Sequence, residues 1–188
     1  MSSAQKTTQA CMTIEQFVAQ SEGKWRSMRS GHSLAFQQFE EVLSIVEINA
    51  LDVGEAGVAD FITSQKIDAT KVTSPFAMRW EAESDWEPDD PTAVAEGSCI
   101  LIPVPETETT GVILRSVGYA EAEQASSSYS FSSDGTLNLI TQYGQSIAEE
   151  RIWFVSDNVR CRSSVLRTSE GTGILQTSFA SEVRRIKA

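Results

Sequence analysis

Apolar and polar residues alternate with a period of two over much of this chain, and a period of two is the mark of strands with one face buried. The stretch Phe76–Trp86 shows it most cleanly: Phe76, Met78, Trp80 and Ala82 fall on one face, Arg79, Glu81 and Glu83 on the other. Glu40–Leu51 alternates in part, Lys24–Gln37 is strand-capable with an interruption near Gly31, and Gly97–Val104 and Gly111–Ala120 are compact apolar runs. Ser127–Phe131 and Leu137–Thr141 flank Asp134-Gly135, a strong hairpin signal. Ile147–Val155 and Val159–Arg167 flank Ser156-Asp157-Asn158, and a last strand over Gly173–Ile186 follows a turn at Glu170-Gly171. Roughly ten strands at hairpin spacing predict an all-β protein, an up-and-down antiparallel barrel in preference to a sandwich.

Two short helices interrupt the strands. Thr13-Ile14-Glu15-Gln16 has the form of a capping box, Ile14, Phe17 and Val18 follow at helical spacing, and Gly23 ends a segment beginning at Thr13. Val58, Phe61 and Ile62 suggest a second helix within Val53–Gln65, weakened by Gly54 and Gly57. The length of 188 residues suits one domain, read as residues 12–188 after a loose polar tail over 1–11. The polar loop Asp85–Pro91 is expected near the barrel mouth.

Charge and composition narrow the chemistry. A net charge of −11 disfavours phosphate backbones and anionic lipid as partners. No apolar run is long enough to span a bilayer, and the first ten residues lack the apolar core of a secretory signal. The three cysteines, Cys11, Cys99 and Cys161, are far apart, which fits reduced thiols better than a disulfide framework or a zinc site. With His32 the only histidine, a histidine-cluster metal centre is excluded, and no metal site is expected. Glu81, Glu83, Asp85, Glu87, Asp89 and Asp90 lack EF-hand spacing and read as a solvated face and loop.

The most informative hairpin runs from Glu149 to Val165. Strand alternation puts Arg160, Arg162 and Ser164 on one face and Val159, Cys161, Ser163 and Val165 on the other. Either the arginines face water over an apolar core, or the interior is polar because it holds a polar ligand. A three-residue loop at Ser156–Asn158 sets Phe154 opposite Arg160, Ile152 opposite Arg162 and Glu150 opposite Ser164. A two-residue loop at Asp157-Asn158 turns Glu150 to the other face. Both loops are compatible with the residues.

The run Glu150-Arg151-Ile152-Trp153-Phe154 through Arg160-Cys161-Arg162-Ser163-Ser164 resembles the signature of the S-type phycobiliprotein lyases, the CpcS/CpeS family. Gly23-Lys24-Trp25-Arg26-Ser27 after a short helix, Met78-Arg79-Trp80, Trp86, and the ending Gln176–Arg185 are similar to that family as well. The resemblance spans nearly all the chain after Cys11. It implies a ten-stranded barrel like those of lipocalins and fatty-acid-binding proteins. It also implies attachment of a phycobilin (a linear tetrapyrrole such as phycocyanobilin or phycoerythrobilin) to a cysteine of a phycobiliprotein subunit. The family's pocket residues carry over to Met78, Trp80, Trp86, Glu150, Arg160, Arg162 and Ser164.

Those residue types suit such a pigment. Guanidinium groups of Arg160 and Arg162 match propionates, and a carboxylate at Glu150 matches pyrrole N–H donors and could handle a proton, so Glu150 and Arg160 are the candidates for the chemistry. Trp80, Trp86 and Met78 offer flat or soft apolar walls. An arginine buried without an anion is costly, so an empty pocket is expected to be wet or to hold a buffer anion. The bilin is a substrate, with no permanent cofactor, and the nucleophile belongs to the acceptor subunit. The residue types alone also fit ordinary core for Met78 and Trp80, and core or rim for Trp25 and Trp153. Two other functions fit the barrel: a lipocalin-like carrier of a hydrophobic anion, and a non-catalytic partner subunit of a paralogous lyase. Homodimer and heterodimer both remain open. The family context implies the cytoplasm of a cyanobacterium or, alternatively, a plastid stroma.

Overall fold

The computed structural model describes residues 11–82, 96–116, 125–171 and 173–185. Ten antiparallel strands close into a barrel: β1 (Gly23–Ser33), β2 (Gln38–Ala50), β3 (Phe76–Ala82), β4 (Glu96–Pro105), β5 (Thr110–Arg115), β6 (Ala125–Phe131), β7 (Leu137–Tyr143), β8 (Ser146–Ser156), β9 (Val159–Thr168) and β10 (Ile174–Arg184). Each strand pairs with its neighbours in sequence, and β10 closes the ring on β1, from Trp25 opposite Arg184 to Ser33 opposite Gln176. Closure leaves no edge strand. The expected break near Gly31 is absent; β1 runs through it to Ser33, with Gly31 paired to both Glu40 and Ser178.

Helix α1 (Ile14–Ser21) closes one end. Thr13 caps it in a complete capping box: the Thr13 hydroxyl accepts from the Gln16 amide, and the Gln16 side chain accepts from the Thr13 amide at 3.0 Å. Its buried face, Ile14, Phe17, Val18 and Ser21, faces the barrel interior, with Phe17 packed on Phe131 and Phe154 at ring distances of 5.8 and 5.5 Å. Gly23 makes the exit at φ +116°, a conformation that favours glycine. Arg184 pins this end: its guanidinium lies over Trp25 at 4.2 Å and donates to the carbonyls of Gln20, Glu22 and Asp157.

Helix α2 (Ala56–Ser64) explains why β4 reads as a continuous apolar run. Cys99 and Leu101 point into the barrel, whereas Ile100, Ile102 and Val104 point out and pack beneath Val58, Phe61 and Ile62. Both faces of that strand are covered, so alternation is lost.

The interior has two layers. An apolar core of α1, Trp25, Ile48, Phe76, Met78, Leu101, Ile113, Leu137, Leu139 and Ile152 fills the α1 end. Among the described residues, the other half of the barrel is polar and holds a cavity.

Candidate functional site

The β8–β9 hairpin sets up the polar half. Its connection is a two-residue turn, with Ser156 paired to Val159, yet the register then shifts by one at Val155. This bulge places Phe154 opposite Arg160, Ile152 opposite Arg162 and Glu150 opposite Ser164. The short turn and the pairing expected of the longer loop therefore coexist, and Glu150 shares the arginine face.

Three rungs of cross-strand neighbours follow from that register. The rung nearest α1 holds Ser27, Glu182, Arg160 and Phe154; the next holds Arg29, Ala180, Arg162 and Ile152; the third holds Gly31, Ser178, Ser164 and Glu150. Both arginines point into the barrel and not outward, Arg162 onto the cavity and Arg160 beneath it. Arg160 is only 1% exposed and Glu182 2%, and the Arg160 Nε donates to a Glu182 carboxylate oxygen. The Arg160 guanidinium also lies over the Trp25 ring at 4.7 Å. Arg162 approaches Glu150 at 3.9 Å, and the Ser164 and Ser178 hydroxyls are hydrogen-bonded at 2.7 Å. The expected need for a bound anion is thus met in part by the chain itself: Glu182 and Glu150 are the counter-charges.

Burial pushes the Glu182 carboxyl up, but Arg160, Arg162 and the hydroxyl of Ser27 outweigh it, and the net shift is downward. Glu182 is therefore an anion in the folded barrel at neutral pH.

A cavity of about 360 Å³ lies above these rungs, lined by Ser27, Arg29, Ser44, Trp80, Glu150, Arg162, Ser164, Ser178 and Glu182 among others. Below it, toward α1, is a void of about 50 Å³ whose wall includes Met78, Arg115, Glu150, Arg160 and Arg162. Of the residues singled out from the sequence, Trp80, Glu150, Arg162 and Ser164 meet on the cavity wall. Arg160 sits one layer deeper, and Met78 is buried in the floor. Trp86 and the Asp85–Pro91 loop lie outside the described residues. Trp25 is core, while Trp153 points outward against Phe179 at 6.2 Å. The Trp80 indole lies across Gly97, where a β-carbon would collide with the ring.

Sequence reasoning missed Glu182, Ser27, Arg29, Ser178 and Arg115. Arg115 was legible in part, since Gly111, Ile113 and Arg115 alternate onto the inward face of β5. Glu182 shares a face with Ser178 and Ala180, but its partnership with Arg160 depends on the β9–β10 register, which no local pattern displays.

Fold and site together define a class: a closed antiparallel barrel with a charged interior cavity. The CpeS-like protein family matches residues 13–185, and the chain belongs to that family. It is 45% identical over 175 residues to a Trichodesmium erythraeum protein named chromophore lyase CpcS/CpeS 3, covering 92% of this chain and 99% of the relative. It is 42% identical to a Microchaete diplosiphon protein provisionally named phycoerythrobilin lyase CpeS, covering 86% of this chain and 72% of that one. Among solved structures, the S-type phycobiliprotein lyase CpeS of Guillardia theta superimposes with a TM-score of 0.80 at 35% identity, covering 94% of this chain and 95% of that chain.

Proposed function

We propose that this chain is a bilin lyase that seats a linear tetrapyrrole in the upper cavity and presents it to a cysteine of a phycobiliprotein subunit. One observation carries the reading: guanidinium groups from several strands gather inside the barrel of a chain whose net charge is −11. Arg29, Arg115, Arg160 and Arg162 line the two compartments together with Glu150 and Glu182, and Arg29 also pairs with Glu40 at 3.2 Å. Guanidinium groups gathered in this way suit a ligand bearing carboxylates, and Glu150 beside Arg162 suits one that also carries N–H donors. A simple fatty acid has no such donors, which disfavours the carrier reading.

Arg162 and Ser164, on the cavity wall, hold the propionate end, with Arg160 backing them electrostatically from below. Glu150 faces the pyrrole nitrogens, and the Trp80 indole supplies a flat wall. The reaction is addition of the acceptor's S–H across the exocyclic ethylidene double bond. Sulfur bonds to the side-chain carbon, hydrogen ends on the adjoining ring carbon, and nothing leaves. The barrel's contribution is orientation and exclusion of the wrong face, with Glu150 holding the pigment's N–H groups during attack. Phycocyanobilin and phycoerythrobilin both carry the propionates and pyrrole N–H groups that these side chains suit.

The test mixes the purified chain, one bilin at a time, and an apo-phycobiliprotein β-subunit. Covalent transfer is read as zinc-enhanced fluorescence on the subunit band of a denaturing gel. Pigment uptake with no transfer to any subunit would leave the carrier or support role instead.

A further inference from the structure

The rim of the barrel is not uniform. At the open end, the β1–β2 turn carries Leu34 and Phe36, with Phe39 two residues into β2, and all three are exposed, Phe36 at 77%. Ile174, at the start of β10, is exposed beside them. The four belong to one side of the mouth, because the Leu34 amide donates to the Leu175 carbonyl at 2.9 Å. That bond, together with pairing of Ser33 to both Gln38 and Gln176, ties the base of the turn to the barrel wall and makes it a platform on the rim. Beneath the platform runs a groove of about 560 Å³ lined by Gly31, Ser33, Gln38, Phe39, Glu40, Glu41 and Gln176. Glu40 is engaged by Arg29 at 3.2 Å, while Glu41 is exposed.

Large aromatic side chains on a rim cost solubility unless something covers them. If the chain is a lyase as proposed above, the acceptor thiol must enter through this mouth, so the protein that carries the thiol must touch the rim. We infer that Leu34, Phe36, Phe39 and Ile174, with Glu41 beside them, form the docking surface for the acceptor subunit. Its chemistry follows by complementarity: an apolar patch bordered by a lysine or arginine, close to the cysteine that receives the pigment. Aromatic anchors dominate such contacts, and a rim carboxylate adds steering that salt weakens.

The experiment measures binding of the bilin-loaded chain to an apo-subunit whose acceptor thiol has been alkylated, so association is read without transfer. The wild-type chain is compared with a Phe36→Ser/Phe39→Ser double variant and with Glu41→Lys. Both sit on a surface turn or strand face, and far-ultraviolet circular dichroism confirms the barrel. The double variant is expected to weaken subunit binding at least tenfold, on the order of two lost contacts, with bilin affinity unchanged by absorbance titration. Glu41→Lys is expected to slow association and flatten its salt dependence. Subunit binding by the double variant equal to wild type overturns the docking surface while leaving the lyase reading intact. An equal loss of bilin affinity in that variant also overturns it, since the platform would then be a wall of the pigment site. A wild-type chain that takes up no bilin removes the lyase reading, and the rim assignment falls with it.

Discussion

Replacing Arg160 by methionine removes the cation from a fully buried pair and leaves Glu182, 2% exposed, facing a low-dielectric interior. Breaking a buried pair on one side costs about 3–5 kcal/mol, because the stranded charge keeps its desolvation penalty and loses its partner. Arg162 also acts on Glu182, so the loss should fall toward about 3 kcal/mol. With a urea dependence of about 2 kcal/mol/M, that lowers the unfolding midpoint by about 1.5 M. The double variant Arg160→Met/Glu182→Leu removes both charges and fills the space with apolar atoms. It should recover to within about 1 kcal/mol of wild type, the remaining loss coming from the Ser27 hydroxyl, which loses its acceptor. Urea titration followed by tryptophan fluorescence, sensitive to Trp25 beneath the guanidinium, measures all three chains. The same double variant should bind bilin poorly despite its recovered stability, which would mean that the pair serves the pigment and not the fold. A cost under about 1 kcal/mol for Arg160→Met, or a double variant as unstable as the single one, would mean that no stranded charge is penalised at this position.

Four further outcomes follow from the same geometry. Because the folded Glu182 carboxyl lies below its ordinary value of 4.5, its stabilisation is present above that pH and is lost as pH falls through the folded value; denaturation measured at successively lower pH should show the wild-type advantage over Glu182→Gln holding at pH 6 and shrinking only below pH 4.5. Arg162→Ala should weaken bilin binding by about 10–100-fold, the worth of a charged hydrogen bond, while Arg162→Lys recovers only part, because an ammonium cannot reproduce the two-pronged contact; absorbance titration separates the three chains. Gly97→Ala should push the Trp80 indole off its cross-strand seat, cost about 1–3 kcal/mol by overpacking, and reduce pigment affinity; a variant with wild-type stability and affinity would mean that the ring has room elsewhere. Cys161→Ser and Cys99→Ser should both support transfer in the gel assay, since burial pushes both thiols up and neither side chain lines the cavity.

Strand alternation made most of the barrel legible before any coordinates, because inward and outward positions obey one period wherever a single face is buried. It worked on β3, where Met78 and Trp80 do point inward, and on β9, where Arg160 and Arg162 share a face. It was uninformative on β4, whose outer side is hidden by α2. The choice between water-facing and interior arginines was not local. It depended on Glu182, 22 residues from Arg160 in sequence, a distance over which only closure of β10 against β1 and β9 fixes register. The resemblance to known lyases supplied the inward orientation; the geometry supplies the reason it is tolerated, a carboxylate beside the buried guanidinium.

The bulge at Val155 shows how narrowly the site is set. Side-chain period is two, so one extra residue in β8 exchanges its faces relative to β9 for the rest of the strand. Without the bulge, the turn at Asp157-Asn158 would carry pairing on from Ser156 opposite Val159 to Glu150 opposite Val165, on the outer face. Glu150 would then leave the cavity, and Arg162 would lose the carboxylate now 3.9 Å away. The polar interior is therefore a consequence of two placements that alternation within one strand cannot report: a one-residue slip in β8, and the arrival of Glu182 from the last strand. Together they let an acidic chain keep buried cations at its centre, each beside a carboxylate of its own.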